Sequence, residues 1–339
     1  MTDQLSVEEL VNRSWDEPAR QRRATLLEAI EVADAANDLD QGFRTRSMYI
    51  NACHGEPDPL LMIAHYGWCL ARYDEDPERF RISFWNYKWI ANAAPDFAGV
   101  SSEQLYELVE DLRRRFDGLG ASPGPAGVAL CEVDEAVGDL DALREHLDTW
   151  KNTPKTGSLN DCAACDDASE AGFQIALGRH TEAIEAAEPL ISGNRQCATQ
   201  PHHAFAALLA AARATGDTEL AEQMSVQGLA LLRDNPDFVS PFGDHMRHFA
   251  ITGELDKGLE IARRIEAHGA DRRLLSFYRG VRLLLERATL MGRDDDVTDL
   301  REAFEGKAEE VAARFDARNA NTYISDLLTA DSAELTAAG

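Results

Sequence analysis

The sequence predicts an all-α fold, a right-handed α-solenoid of about seven helical hairpins, and three observations support this. First, Gly138, Gly178, Gly216, Gly253 and Gly292 recur at intervals of 40, 38, 37 and 39 residues. Second, each glycine ends an apolar stretch of helical periodicity and precedes an amphipathic one. Third, no segment alternates apolar and polar residues as a strand would. A period of this length is typical of stacked helix pairs joined by tight turns.

The first hairpins, over residues 18–118, are predicted to be less regular than the rest. Asn37 and Asp74 stand where a turn glycine is expected. Ser101 and Gln104 form a capping-box pattern, which predicts a helix that begins at this point. Further helix starts are indicated where an oxygen-bearing cap precedes a proline, at Asp58-Pro59, Asp76-Pro77 and Ser240-Pro241.

The regular hairpins are predicted over residues 124–317, and residues 1–328 are expected to form a single helical-repeat domain. The segment 329–339 is small and polar, so we expect it to fray.

A small residue stands five positions after several of the turns, where paired helices cross closely: Gly42, Ala183, Ala221 and Gly258. In this feature the chain resembles tetratricopeptide-repeat proteins, although Leu143 and Val297 depart from the pattern and the period exceeds the ~34 residues of that family. The resemblance implies the same fold and is silent on function.

The chain is strongly acidic, with a formal net charge of −26 and a pI near 4.7. Because phosphate binding needs clustered Lys and Arg, this charge argues against nucleic acid and anionic membranes as partners. A protein or a peptide is the expected partner. The alternative interpretation is that the negative charge only keeps the protein soluble. No basic segment followed by an apolar one opens the sequence, and six cysteines are too few for a disulfide scaffold. We therefore expect a cytoplasmic protein.

The strongest chemical signal is a set of cysteines with the spacing of metal ligands. Cys162 and Cys165 can hold one ion from a single turn, and Cys197 and His202 follow later. The offset between Cys162 and His202 is 40 residues, about one repeat, so both pairs would lie on one edge of neighbouring hairpins. Three thiolates and one imidazole in a tetrahedral arrangement suit zinc. The sequence thus predicts a structural Zn²⁺ site made by these four residues.

This segment also resembles a group of uncharacterised bacterial tetratricopeptide-like proteins that carry Asp-Cys-x-x-Cys and a later Cys-x4-His. The resemblance implies a shared site and no assigned reaction. His203, Asp161 and Asp166 are alternative fourth ligands. Two other interpretations stay open: a redox pair of Cys162 and Cys165, favoured by a helix N-terminus, and three thiols without a joint role. A catalytic zinc is disfavoured because four protein ligands leave no position for water.

Two further sets of residues are candidates for a partner-binding surface. Trp85 and Trp89 form an i, i+4 pair in an aromatic stretch, and the alternative is that the whole stretch is core. A local basic cluster can clamp a carboxylate or an acidic peptide, and the alternative is a solvated face paired with neighbouring glutamates. This cluster would line the inner face of the solenoid and comprises His245, Arg247, His248, Arg279 and Arg282.

Together these patterns predict a protein-interaction module, a scaffold, adaptor or regulatory protein. It would hold a peptide or a partner protein in a concave groove, with zinc stiffening the array. The alternative is a redox- or metal-responsive switch that uses Cys162 and Cys165. An enzyme with a site in the groove is a weaker alternative, since the sequence shows no phosphate loop, nucleophile elbow or paired acid and base motif.

Overall fold

The computed structural model describes residues 5–53 and 60–338, and every regular element in these ranges is helical. The all-α prediction is therefore confirmed. The chain divides into two compact units, Met1–Ala93 and Ala94–Gly339, and this boundary falls within the range that the sequence marks as irregular. None of the described helices combines the length and the apolarity that crossing a bilayer requires.

The first unit begins with a helix that the sequence prediction missed, α1, which Ser6 and Glu9 start through a capping box. Asn37 forms the turn between α2 and α3 with a φ of 51°, a conformation that Asn tolerates. Asp74, by contrast, lies inside α4 and forms no turn, and Asp58-Pro59 falls outside the described residues. The helices of this unit are α1 (Val7–Ser14), α2 (Ala19–Ala35), α3 (Leu39–Ala52), α4 (Leu60–Glu75) and α5 (Phe84–Ala93).

The predicted helix start at Asp76-Pro77 is wrong. Residues 76–83 form turns and loop, and α5 begins only at Phe84. The Asp76 carboxylate does accept a backbone N–H, from Arg79 at 3.1 Å, but it closes a turn rather than a helix. Phe80 is buried against Phe43 with ring centroids 5.1 Å apart, so tertiary packing decides the path of this segment.

The second unit contains the regular helix pairs. The Ser101 and Gln104 capping box starts its first helix, as predicted, and a short 3₁₀ turn at Ala94–Asp96 precedes it. The helices of this unit are α6 (Ser102–Gly118), α7 (Gly124–Val137), α8 (Leu140–Lys151), α9 (Ala163–Ala176), α10 (His180–Ala186), α11 (Glu188–Ile191), α12 (His202–Thr215), α13 (Thr218–Leu232), α14 (Val239–Thr252), α15 (Leu255–Arg264), α16 (Asp271–Leu290), α17 (Thr298–Phe304), α18 (Lys307–Asn319) and α19 (Tyr323–Ala338).

The five recurrent glycines occupy the turns that follow α7, α9, α12, α14 and α16. Their φ angles lie between 66° and 83°, in the left-handed region that glycine enters without strain. After two of these turns, Asp139 and Asp217 cap the next helix by accepting a backbone N–H. The glycine period therefore marks real helix-turn-helix pairs.

The first helices of consecutive pairs pack side by side, in the order α7, α9, α12, α14 and α16. The closest approach is between α14 and α16, where a Cβ on Gly280 would stand 2.6 Å from the Gly243 carbonyl oxygen. Between consecutive pairs, a Cβ on Gly258 of α15 would overlap the Leu284 side chain of α16. Small residues are present at these crossings because two backbones meet there.

The C-terminal helices return to the beginning of this row of helices. The Arg318 guanidinium donates to the Ala136 carbonyl and the Asn321 amide to the Val137 carbonyl, each at 2.8 Å. An ion pair between Arg272 and Glu135 also joins α16 to α7. The first helices of the second unit and α19 thus surround a common interior space.

The segment 329–339 does not fray over its described part, because α19 continues to Ala338. Leu335 is only 1% exposed and packs in the core formed by α14 and α16. Asp331 is also buried and is paired with Arg279. Buried contacts hold this helix, although its small and polar composition suggested a loose end.

Candidate metal centre

Two of the predicted metal ligands lie at the N-terminus of α9. Cys162 is the N-cap residue, and its carbonyl accepts the backbone N–H groups of Cys165 at 2.9 Å and Asp166 at 3.0 Å. This first turn places the Cys162 and Cys165 Sγ atoms 3.4 Å apart. Both thiols therefore face the same point in space.

The third ligand reaches this point from the loop between α11 and α12. Arg195 in this loop forms an ion pair with Asp167 of α9 at 2.7 Å, which holds the loop against the helix. The Cys197 N–H donates to the Gln200 carbonyl at 2.9 Å, so the loop turns back on itself. The Cys197 Sγ then lies 3.6 Å from that of Cys165.

The three sulfur atoms lie within 4.8 Å of one another and form a cluster that can hold a metal ion. Tetrahedral zinc with Zn–S bonds of about 2.3 Å brings sulfur atoms to about 3.8 Å from each other, close to these separations. Cys162 is exposed, whereas Cys165 and Cys197 are half-buried. None of the six cysteines is in a disulfide. The convergence of these three cysteines is confirmed.

The thiols of the cluster differ in acidity. Burial raises the pKa of Cys165 well above its ordinary value, and the neighbouring Cys162 and Cys197 thiols raise it further. Burial also acts to raise the pKa of Cys197, but hydrogen bonds from the Thr199 hydroxyl and from the backbone outweigh it and lower that pKa. The pKa values of these two neighbouring thiols are therefore shifted in opposite directions.

His202, the fourth predicted ligand, does not join the cluster of ligand atoms. Its ring packs edge-on against Phe238, with centroids 5.5 Å apart and an interplanar angle of 89°. Burial lowers its pKa, and its Nδ1 is buried without a hydrogen-bond partner. Spacing along the chain placed His202 near the cluster, but packing against Phe238 directs the ring elsewhere.

The three alternative fourth ligands, Asp166, His203 and Asp161, do not join the cluster of sulfur atoms either. Asp166 forms an ion pair with Lys155 at 3.5 Å. His203 packs on Phe238 at 4.9 Å, and burial lowers its pKa to about 4. Asp161 is not among the ligand atoms that converge. The sequence argument against an open coordination position, which depended on a fourth protein ligand, therefore fails.

The basic cluster that the sequence assigned to a partner is bound by α19 of the same chain. Asp331 accepts two hydrogen bonds from Arg279, at 2.8 and 3.0 Å, and lies 3.2 Å from Arg247. Arg282 donates to the Leu328 carbonyl at 3.1 Å and pairs with Glu286 at 2.9 Å. Burial alone would raise the pKa of Asp331, but Arg247 and Arg279 outweigh it and lower that pKa. These arginines therefore hold a helix of their own chain.

His245 and His248, predicted on the same surface, are buried at 0% and 4% exposure. Burial lowers the pKa of His245 to about 3, and that of His248 to about 4. Neither ring is accessible to a partner, because both side chains of α14 are buried. The assignment of His245 and His248 to a partner-binding surface is therefore wrong. In the first unit, Trp85 and Trp89 are half-buried, and the Lys88 ammonium lies 3.6 Å from the Trp85 ring centroid.

A cavity of about 440 Å³ lies on the inner side of the first helices in the second unit. Arg213, Arg247, Asp244 and Tyr323 supply polar groups to its wall. The Nε atom of Arg247 is buried without a hydrogen-bond partner. The apolar part of the wall is made by small and aliphatic residues, namely Leu140, Ile175, Ala176, Ala206, Ala210 and Leu327.

Sequence reasoning missed three acidic residues of the second unit. Asp331 and Glu334 of α19 pair with arginines of the basic cluster and of α12, and their i, i+3 spacing, which places both on one face of a helix, was the available signal. Glu132 of α7 was not singled out at all. Burial raises its pKa to about 8, with Glu135 adding to the effect. No pattern in a single sequence marks such a buried carboxyl group.

The chain was compared with known protein families, curated proteins and solved structures. No protein family, no curated protein and no solved structure matches the chain. The function is therefore inferred from two features of the second unit, the three converging thiols and the cavity beside the basic cluster.

Proposed function

We propose that this chain is a tetratricopeptide-like helical-repeat protein in which a structural Zn²⁺ ion, held by Cys162, Cys165 and Cys197, ties neighbouring hairpins together. The convergence of three sulfur atoms from two separate segments carries this proposal. Thiolates are the ligands that zinc prefers for structural roles, and free cysteines fit a reducing cytoplasm. Such an ion would join the loop before α12 to α9, where Arg195 and Asp167 already make contact.

Elemental analysis of the purified full chain tests the zinc site. We expect about one zinc per chain in the native protein and a loss of at least tenfold in affinity for Cys165→Ser. Cys53→Ser removes a thiol from the first unit and is the matched control, for which the zinc content stays unchanged. A native protein without zinc, or equal zinc in both variants, would contradict the proposal.

The same thiols support a second candidate, a redox switch based on Cys162 and Cys165, because their Sγ atoms are 3.4 Å apart. A thiol titration with and without mild peroxide distinguishes this candidate from a permanent metal site. Zinc release together with loss of two thiols supports the switch. Zinc that resists mild peroxide supports the structural role.

We further propose that the cavity beside the basic cluster binds the carboxylate end of a partner peptide. Arg213 and Arg247 on the cavity wall can donate to a carboxylate, and the apolar wall near Ile175 and Ala210 can receive one side chain.

A peptide library with free C-termini, displayed against the full chain, tests this cavity. We expect the selected peptides to lose at least tenfold in affinity when their terminus is amidated. Ala210→Trp fills the cavity and should have the same effect, whereas Ala313→Trp, on the exposed face of α18, should not. Binding that is indifferent to both amidation and Ala210→Trp excludes this site.

A further inference from the structure

The cysteine cluster supplies three ligands, whereas a tetrahedral zinc ion takes four. Of the residues that the structure describes, the three sulfur atoms are the ligand atoms that converge here. A metal held by them alone has one coordination position that the protein does not fill.

The neighbouring donors are engaged by other groups. The His202 ring stands edge-on to Phe238, and the His203 ring packs on the same phenylalanine. The Asp166 carboxylate is paired with Lys155. Bringing the Asp166 carboxylate to the metal would break its ion pair with Lys155, and neither histidine places a ring nitrogen in the cluster.

The cluster is accessible from outside at Cys162, which is exposed at the start of α9. A buried structural zinc site encloses its ion with four protein ligands, but this cluster lies at the surface of the second unit. Sites that keep one position for water or another molecule have this arrangement of three protein ligands.

The charge of the site limits the ligand that can bind there. Three thiolates and a divalent ion leave one net negative charge, which the N-terminus of α9 partly offsets. A carboxylate or a fourth thiolate would add a second negative charge in a chain whose formal net charge is −26. A neutral imidazole adds none and is a good zinc ligand.

We infer, on the basis of the proposed metal site, that the fourth coordination position of this centre is open and accepts a neutral imidazole from outside the chain. The donor is a histidine of a partner protein or a small imidazole compound. The centre is then a docking point for that ligand, and His202 is a packing residue of α12.

Cobalt(II) substitution of the full chain tests this inference, because visible bands of thiolate-bound cobalt report the number and type of ligands. The native chain, His202→Ala and Cys162→Ser are loaded with Co²⁺ and titrated with imidazole, and then with an acetylated and amidated Gly-His-Gly peptide. We expect the native chain and His202→Ala to give the same initial spectrum, and both spectra to change saturably with imidazole. Cys162→Ser should give a different initial spectrum, since it removes one ligand.

The outcomes separate the open position from the metal site itself. If His202→Ala has a changed initial spectrum and only this variant responds to imidazole, His202 is the fourth ligand and the inference is overturned. If no thiolate–cobalt band forms in the native chain, the proposed metal site fails and the inference fails with it. A response to imidazole and to the peptide supports a protein histidine as the donor, and a response to imidazole alone supports a small compound.

Discussion

His245 shows how a single buried residue couples folding to pH. Its side chain is 0% exposed, and neither ring nitrogen has a hydrogen-bond partner. The ring is held in its neutral form, because burial and the nearby His248 lower its pKa to about 3. In the unfolded chain the same histidine takes up a proton near pH ~6.5.

His245→Phe should therefore reduce the acid sensitivity of the protein. Below about pH 6.5, His245 of the unsubstituted protein binds one more proton in the unfolded state than in the folded state. The free energy of unfolding therefore decreases as the pH falls. This residue should contribute a loss of about 2 kcal/mol in the free energy of unfolding between about pH 7 and about pH 5. Urea unfolding at both pH values measures this, with His268→Gln, at a side chain 37% exposed, as the control. Equal pH dependence in the native chain and His245→Phe would exclude the mechanism.

At the scale of one element, α19 contributes a buried carboxylate that two arginines share. Asp331 is the shared partner of Arg279 and Arg247, and both guanidinium groups are largely buried. Removing one member of a buried ion pair leaves the other charge without compensation, which costs more than the pair itself contributes.

Asp331→Ala is expected to lower the free energy of unfolding by about 3–5 kcal/mol. Hydrogen exchange should locate the loss in α19 and in the facing turns of α14 and α16. Asp326→Ala changes an exposed carboxylate on the same helix and should cost about 1 kcal/mol or less. Should the two variants be equally stable, α19 is held by its apolar residues alone.

The crossing of α14 and α16 makes a second prediction at this scale. A Cβ on Gly243 would overlap the backbone of α16 at Ser276, and backbone cannot move as a flexible side chain does. Gly243→Ala should destabilise the protein by about 3 kcal/mol, at the upper end of the range for overpacking. Gly172→Ala is the matched control in α9, where a Cβ meets nothing within 4 Å, and should stabilise by about 0.5–1 kcal/mol. Thermal unfolding of both variants measures the difference.

Across the whole molecule, helix pairs pack mainly on their neighbours, so damage to one pair should remain local. Cys165→Ser is expected to increase hydrogen exchange in residues 162–230 and to leave α16 to α19 unchanged. Its thiol is coupled to Cys162 and Cys197 on adjacent segments and to no group of those later helices. Global unfolding of this variant, or of the native chain under a chelator, would show that the array is a single cooperative unit.

The positions of turns and of the cysteine cluster could be predicted because each depends on local geometry or on the repeat. Gly138 and its counterparts need a left-handed φ, and this preference is visible in a single sequence. Cys162 and Cys165 lie one helical turn apart. Cys197 follows Cys165 by 32 residues, somewhat less than one glycine period, so it lies near them in the fold. The place of His202 outside this cluster could not be predicted, because its ring packs against Phe238, which lies in the loop before α14.

The sequence by itself determined that this protein is helical, that glycine turns join the two helices of a pair, and which thiols can meet. These properties follow from backbone preferences and from residue spacing, and a single sequence contains both. Only the tertiary structure decided that α19 pairs with Arg247 and Arg279, that His245 is buried, and that His202 stands apart from the sulfur atoms. Such outcomes depend on which distant surfaces pack together, because burial and charge pairing are settled between helices rather than within them.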